Sequence, residues 1–355
     1  MDRLRFLAPT LIGLLVPYAV ESSAADEKNA PAPRPAIAAY KPELAKKAIE
    51  KSLPMLWEGV DGHSDKRTCF TCHHHAVPLL AFATAKSRGF DIEQKRIDEL
   101  EKFIIDDLDS HRERLKKGQG PGPQPAGGGV DNTGYALFAL DAVGHKPDDT
   151  TAITAKYHLG EMARSGHWFT PAGRAPTEAS SFTTTALSLK ALNRYGTKED
   201  KEKIAKRIEA AMPWVLKTKP ADNEDRVFRL VGLREGGAED DTVATAIDDL
   251  LATQRADGGW SQTDKLTSDA YATGTALYSL HTAGKLPTTD SAYRRGLLFL
   301  LRNQEDDGTW HVATRSRPFQ RYFETGFPHG KDQFISCAAS AWATTALALA
   351  LPIPK

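Results

Sequence analysis

Residues 133–144 read TGYALFALDAVG and residues 273–284 read TGTALYSLHTAG. In register, the two share Thr, Gly, Ala, Leu, an aromatic, a second Leu and a closing Gly, so one structural element is written twice. Residues 181–196 (SFTTTALSLKALNRYG) and 336–351 (SCAASAWATTALALAL) follow the same plan, and 72–89 is a looser copy that also ends in Gly. Each copy is rich in Ala and Leu and nearly free of charge, and most close on the Gly that suits a helix C-terminus. A helix apolar around most of its girth belongs inside a fold. Between the copies lie amphipathic segments, 201–216, 241–255 and 291–303, whose charges fall on one face and which read as outer partners. Helix pairs recurring at this spacing predict an all-α repeat architecture, either an open solenoid or a closed ring.

The outer segments decide between the two. Residues 295–310, RGLLFLLRNQEDDGTW, carry basic, small, aromatic, aliphatic, Gln, Gly and Trp positions in the order of the QW repeat, and 246–260 is a degenerate copy. That copy keeps Ala246, Leu250, Gln254, Gly258 and Trp260 but has Asp249 in place of the aromatic. Physically, a Gln at a helix end can bond loop backbone while the Trp stacks on the next repeat. The pattern resembles that of squalene–hopene cyclases and their relatives, over about residues 37–351. The resemblance implies the terpenoid cyclase/protein prenyltransferase α/α toroid, a closed ring of about six inner and outer helix pairs. It also implies a central cavity suited to a small apolar or extended ligand. The D-x-D-D motif that supplies the proton in squalene–hopene cyclases is absent, and the chain matches one toroid where those cyclases use two helical domains.

A second signal is chemical. Residues 69–73 read CFTCH, the C-x-x-C-H signature of c-type haem attachment. The thiols of Cys69 and Cys72 can add to the haem vinyl groups while the adjacent His73 serves as proximal ligand to the iron. The alternatives are a C-x-x-C disulfide or two thiols with no joint task. His74 and His75 follow directly, but three consecutive helical imidazoles should fan out in different directions. The sixth iron ligand is open among Met55, Met162, Met212 and the other histidines.

The N-terminus agrees with that chemistry. Residues 1–25 carry Arg3 and Arg5, an apolar run broken by Pro9 and Pro17, and a small-residue stretch, which together read as a cleavable signal peptide. Residues 26–36 form a charged, Pro-rich linker, and 37–355 a single toroid domain. The expected location is exported, periplasmic or secreted, with no membrane segment after cleavage. Lys+Arg and Asp+Glu balance at 46 each, which offers no general attraction to nucleic acid. The three cysteines are too few for a disulfide scaffold. A redox partner is implied only through the haem.

The remaining site candidates cluster where inner helices begin. Asp131, Glu178, Asp269 and Asp332 each precede one, so in a ring of parallel inner helices they would gather at one mouth. Ordinary helix capping could account for all four. If they serve a ligand, Asp269 and Asp332 are the catalytic candidates and Asp131 and Glu178 ligand contacts. The aromatic loop 317–333 adds Tyr322, Phe323, Glu324, Phe327 and His329 as ligand-binding candidates, or else plugs the ring end. The acidic runs 106–109, 222–225 and 239–241 read as solvated faces or loops. Asp332, Cys337 and His329 lack the close D-x-C spacing of the prenyltransferase zinc site, so no zinc is expected there. Three functions stay open: a haem toroid in electron transfer or redox chemistry, a haem-free isoprenoid-binding or cyclase-like enzyme, and a non-catalytic ligand-binding scaffold.

Overall fold

The computed structural model describes residues 39–122, 129–161, 165–170, 172–318 and 321–354. All fall within Ile37–Lys355, which forms one unit. Residues 1–36, read above as signal peptide and linker, and Met162 lie outside the described residues. Helices alternate between two layers in chain order. The outer layer opens with α1 (Pro42–Lys66), and a π turn, Cys72–Ala76, then leads into inner helix α2 (Val77–Ser87). Outer α3 (Gln94–Ser110) and the short α4 (Arg112–Lys116) precede inner α5 (Val130–Ala142). The alternation continues with α6 (Asp149–Gly160), α7 (Ser181–Tyr195), α8 (Lys201–Lys217), α9 (Asn223–Glu235) and α10 (Asp240–Leu251). Inner α11 (Ala270–Thr282), outer α12 (Ser291–Asn303) and inner α13 (Gln333–Leu349) complete it.

Each inner helix packs on the next, from α2 through α5, α7, α9 and α11 to α13, and α13 packs back on α2. Among the described residues the ring is closed and all-α, an α/α toroid with six inner helices. The small residues in the inner copies allow this: a Cβ at Gly274 of α11 would lie 2.8 Å from the Trp342 backbone of α13. At the ring axis Phe138 of α5 meets Tyr278 of α11 and Trp342 of α13, at centroid separations of 6.1 and 6.2 Å. The expected central space is therefore filled at this level by aromatic side chains. Polar chemistry is left to the end where the inner helices begin.

The two QW turns are superposable in their bonding. Gln254 Nε2 donates to Gly258 O (2.8 Å) and to Ala292 O of α12 (2.8 Å), while Gln304 Nε2 donates to Gly308 O (2.9 Å) and to Ala48 O of α1 (2.8 Å). Trp260 and Trp310 are fully buried and donate through Nε1 to Leu250 O and Leu300 O. Trp168 repeats the arrangement, its Nε1 donating to His158 O at 2.8 Å. The sequence holds the signal for this third copy in Gly166-His167-Trp168, which matches Gly258-Gly259-Trp260 and Gly308-Thr309-Trp310.

The inner helix α9 corrects the sequence reading. Residues 222–225, expected to be solvated, form its cap and first turn, with the Asp222 side chain accepting from Asp225 N. Asn223 and Glu224 are buried.

Candidate functional site

At the mouth, Cys69 is exposed and Cys72 is buried, and the thiols are not bridged. The segment between them is pinned from α3: Phe70 N–H donates to Asp107 Oδ1 at 3.1 Å, so this member of the 106–109 run is a support for the motif rather than a solvated charge. Thr71 is extended, and its carbonyl accepts from both His75 and Ala76 N–H at 3.2 and 3.3 Å, the wide bonding that makes a π turn. Across the mouth, Cys72 Sγ lies 3.8 Å from Glu178 Oε1. Burial, reinforced by Glu178, pushes the thiol well above its ordinary range.

The π turn also overturns the expectation that His73, His74 and His75 diverge. All three surround His63 of α1, with ring centroids 6.3, 5.3 and 4.8 Å from its own. His75 accepts from Thr71 N–H through Nδ1 (3.0 Å) and meets Ser64 Oγ through Nε2 (3.3 Å). His74 Nε2 meets Thr325 Oγ1 at 3.3 Å, and the Nδ1 atoms of His74 and His63 are buried without partners. His73 differs. It is half-buried, its Nδ1 lies 3.6 Å from Cys72 Sγ, and its ring edge rests against Phe334 with centroids 5.3 Å apart. Burial lowers the pKa of His63 to about 4 and of His73 to about 3, and takes His74 and His75 well below the usual histidine value. All four rings are neutral at pH 7, the form in which imidazole binds a metal.

The first turn of α9 carries a buried acid that sequence reasoning missed. Glu224 Oε1 accepts from Thr183 Oγ1 (3.1 Å) and Tyr271 OH (3.2 Å), while Oε2 has no partner. The Tyr135 hydroxyl is likewise buried and unpartnered. Burial first, and the Asp222 charge second, push the Glu224 carboxyl well above the carboxylate range. Glu178, paired with Arg174, is also raised, chiefly by burial and next by Asp131. Asp131 sits in the first turn of α5 and accepts from Gly129 N–H, Asn132 N–H and Thr170 Oγ1.

The other two acids do different work. Asp269 is a true cap, accepting from Ala272 N–H at 2.9 Å and from Gln262 Nε2 at 3.0 Å. Burial nevertheless raises its pKa to about 6. Asp332 does not bond its own helix end. It accepts from Thr314 N–H (2.9 Å) and meets His311 Nε2 (2.9 Å), which help hold it below the usual carboxylate value. Because folded Asp269 binds its proton more tightly than the unfolded chain does, its contribution to stability falls as pH rises from about 4 to about 6 and stays low above that. Asp269→Asn keeps the cap and removes the buried charge. It should raise stability relative to wild type at pH 8 by on the order of 2 kcal/mol and change little at pH 4, as read from denaturation midpoints.

The loop 317–333 divides. Phe327 is buried against α1, Phe323 packs on His63 and Phe334 at 5.5 Å, and Arg67 stacks on its ring at 4.3 Å. Tyr322 is exposed, bonded to Glu324 and to Gln333 Nε2. His329 Nε2 lies 3.3 Å from Glu305 Oε2 and 3.4 Å from Thr309 Oγ1. Cys337 is buried in α13, its thiol pushed up by burial. A separate groove of about 1170 Å³ runs outside the ring along α1, lined by Trp57, Arg96 and Glu324 among others. Neither Cys72 nor Glu224 reaches it.

Residues 224–344 match the profile of the family described as the squalene-hopene cyclase C-terminal domain. Among solved structures the fold is similar to the type II terpene cyclase MstE from Scytonema: 15% identity, 89% of this chain and 100% of that chain covered, TM-score 0.55. The fold is a terpenoid-cyclase-like α/α toroid. A possible GH105 member from Klebsiella pneumoniae shares it at 13% identity and TM-score 0.51, covering 95% of this chain and 98% of that one. No curated protein matches the sequence. Among the described residues, no helix is long and apolar enough to cross a membrane.

Proposed function

We propose that this terpenoid-cyclase-like ring is exported and carries a c-type haem at its mouth, where it serves electron transfer or redox chemistry on a small ligand. The state of His73 carries the reading. Its imidazole is neutral, Nδ1 lies 3.6 Å from the Cys72 sulfur, and Nε2 makes no hydrogen bond to any described residue, which leaves that nitrogen available to an iron. The two thiols are unbridged, and Cys69 is open to solvent. Cys69 and Cys72 would hold the group through thioethers and His73 would ligate its iron; when bound, a haem supplies one-electron chemistry. The chain's own part is to fix the motif through Asp107, to present the half-buried Phe323 and Phe334, and to keep the Glu178–Arg174 pair beside Cys72. Exchange with an exported redox partner would run through the exposed Cys69 edge. The test is the pyridine haemochrome spectrum of protein matured with haem-attachment machinery, where a reduced band typical of thioether-linked haem supports the reading.

A second reading has one observation in its favour, the buried Glu224 carboxyl, which has one oxygen unpartnered and is pushed well above the carboxylate range. A haem-free enzyme could use it as a proton donor toward an apolar ligand of the kind bound by MstE, which has been solved with geranylgeranyl dihydroxybenzoate. Glu224→Gln should then abolish turnover of such a ligand and leave any haem spectrum unchanged. Loss of haem from Glu224→Gln with the fold intact would instead tie the acid to the haem site.

A further inference from the structure

The turn of the second QW repeat carries side chains its sister lacks. In both turns an aspartate makes the same bond: Asp257 Oδ1 accepts from Gly259 N–H and Asp307 Oδ1 from Thr309 N–H, each at 2.9 Å. Around that shared frame the residues diverge, with Glu305 where the sister has Arg255 and His311 where it has Ser261. The chain then folds His329 over the second turn. One ligand atom each from Glu305, Asp307 and His329 lies within 4.8 Å of the others. Among the described residues neither carboxylate has a Lys or Arg partner. The His329 side chain is only 10% exposed, and its Nδ1 is buried without a hydrogen bond. Two uncompensated carboxylates beside a largely buried imidazole form a donor set that lacks a positive charge.

We propose that Glu305, Asp307 and His329 bind a divalent transition ion of the zinc class, with oxygen and nitrogen ligands and positions left for water. His311 stands next to this set, its ring 4.6 Å from that of His329 and its Nε2 held by Asp332, and acts as a positioning residue. The ion ties the turn after α12 to the loop that leads into α13, at the place where the last repeat meets α1. This set shares only His329 with the prenyltransferase-type trio of Asp332, Cys337 and His329, and it does not depend on the haem reading.

The experiment is a zinc titration of the full chain at neutral pH by calorimetry, paired with thermal unfolding. The expected result is one equivalent of zinc bound and a higher midpoint with zinc present. Glu305→Gln and Asp307→Asn, at the solvent edge and able to keep the turn, should each weaken binding by about tenfold or more, and His73→Ala should leave it intact. His329→Ala should abolish it. No uptake by the wild type, or unchanged affinity in Glu305→Gln, overturns the proposal. Uptake lost in His73→Ala and kept in Glu305→Gln and Asp307→Asn overturns it too, since the ion would then sit among the imidazoles of the mouth.

Discussion

Protein exported from a host competent in cytochrome c maturation should carry haem that survives acid–acetone extraction, because thioethers to Cys69 and Cys72 are covalent. Cys69→Ala should leave at most one linkage and shift the reduced band. The three histidine variants should separate. His74 is bonded to Thr325 and His75 to Thr71 and Ser64, so their removal acts on packing and on the π turn. The His73 side chain has one polar contact, its neighbouring thiol, so His73→Ala should change the iron's ligation and spin state while the thioethers hold the haem in place. Equal spectra for the three variants would contradict the proximal role of His73. A protein with no Soret band would remove the haem reading and leave the buried acid as the centre of interest.

What the sequence displays and what it conceals follow from the range of the interactions. Inner helices with uniformly small apolar faces announce themselves, and so do the Gln and Trp of an outer turn, because each signal lies within one helix and its loop. Helix α9 is hidden because it carries Arg226, Arg229 and Arg234. Arg229 donates to the Val215 and Leu216 carbonyls at the end of α8, and Arg234 to Ala283 O at the end of α11. Arg229 and Arg234 spend their charges on neighbouring helix ends, so a polar sequence still makes an inner helix. The mouth is concealed for another reason: its partners, Cys72 with Glu178 and Glu224 with Tyr271, come from separate repeats. The histidine cluster depends on a π turn, whose bonding pattern leaves no periodic trace. Of the four acids expected together at the mouth, Asp131 and Glu178 are coupled. Asp269 caps its helix, and Asp332 braces His311.

Trp310→Ala and Trp260→Ala should destabilise the protein by similar, large amounts, and that equality tests ring closure. Both indoles are fully buried, both donate from Nε1 to the carbonyl ten residues earlier, and both backbone N–H groups donate to an inner-helix hydroxyl, Ser340 for Trp310 and Thr273 for Trp260. Truncation removes the packing and strands a carbonyl, which together cost about 3–5 kcal/mol. In an open array Trp310 would belong to a terminal repeat with one neighbour, and its loss would fray an end. Here its turn abuts α1 as the sister turn abuts α12. Gly308 has φ +93°, and a Cβ there would sit 2.5 Å from Lys51 O of α1; Gly258 has φ +91°, with Arg295 O of α12 at 2.6 Å. Gly308→Ala should therefore cost about 1–3 kcal/mol through backbone strain alone, with the clash added. Urea denaturation provides the measurement: matched losses for the two Trp variants with unchanged m-values mean that the seam between the last repeat and the first is as strong as an internal one. A much smaller loss for Trp310→Ala, or a second transition, would mean that the ring opens there.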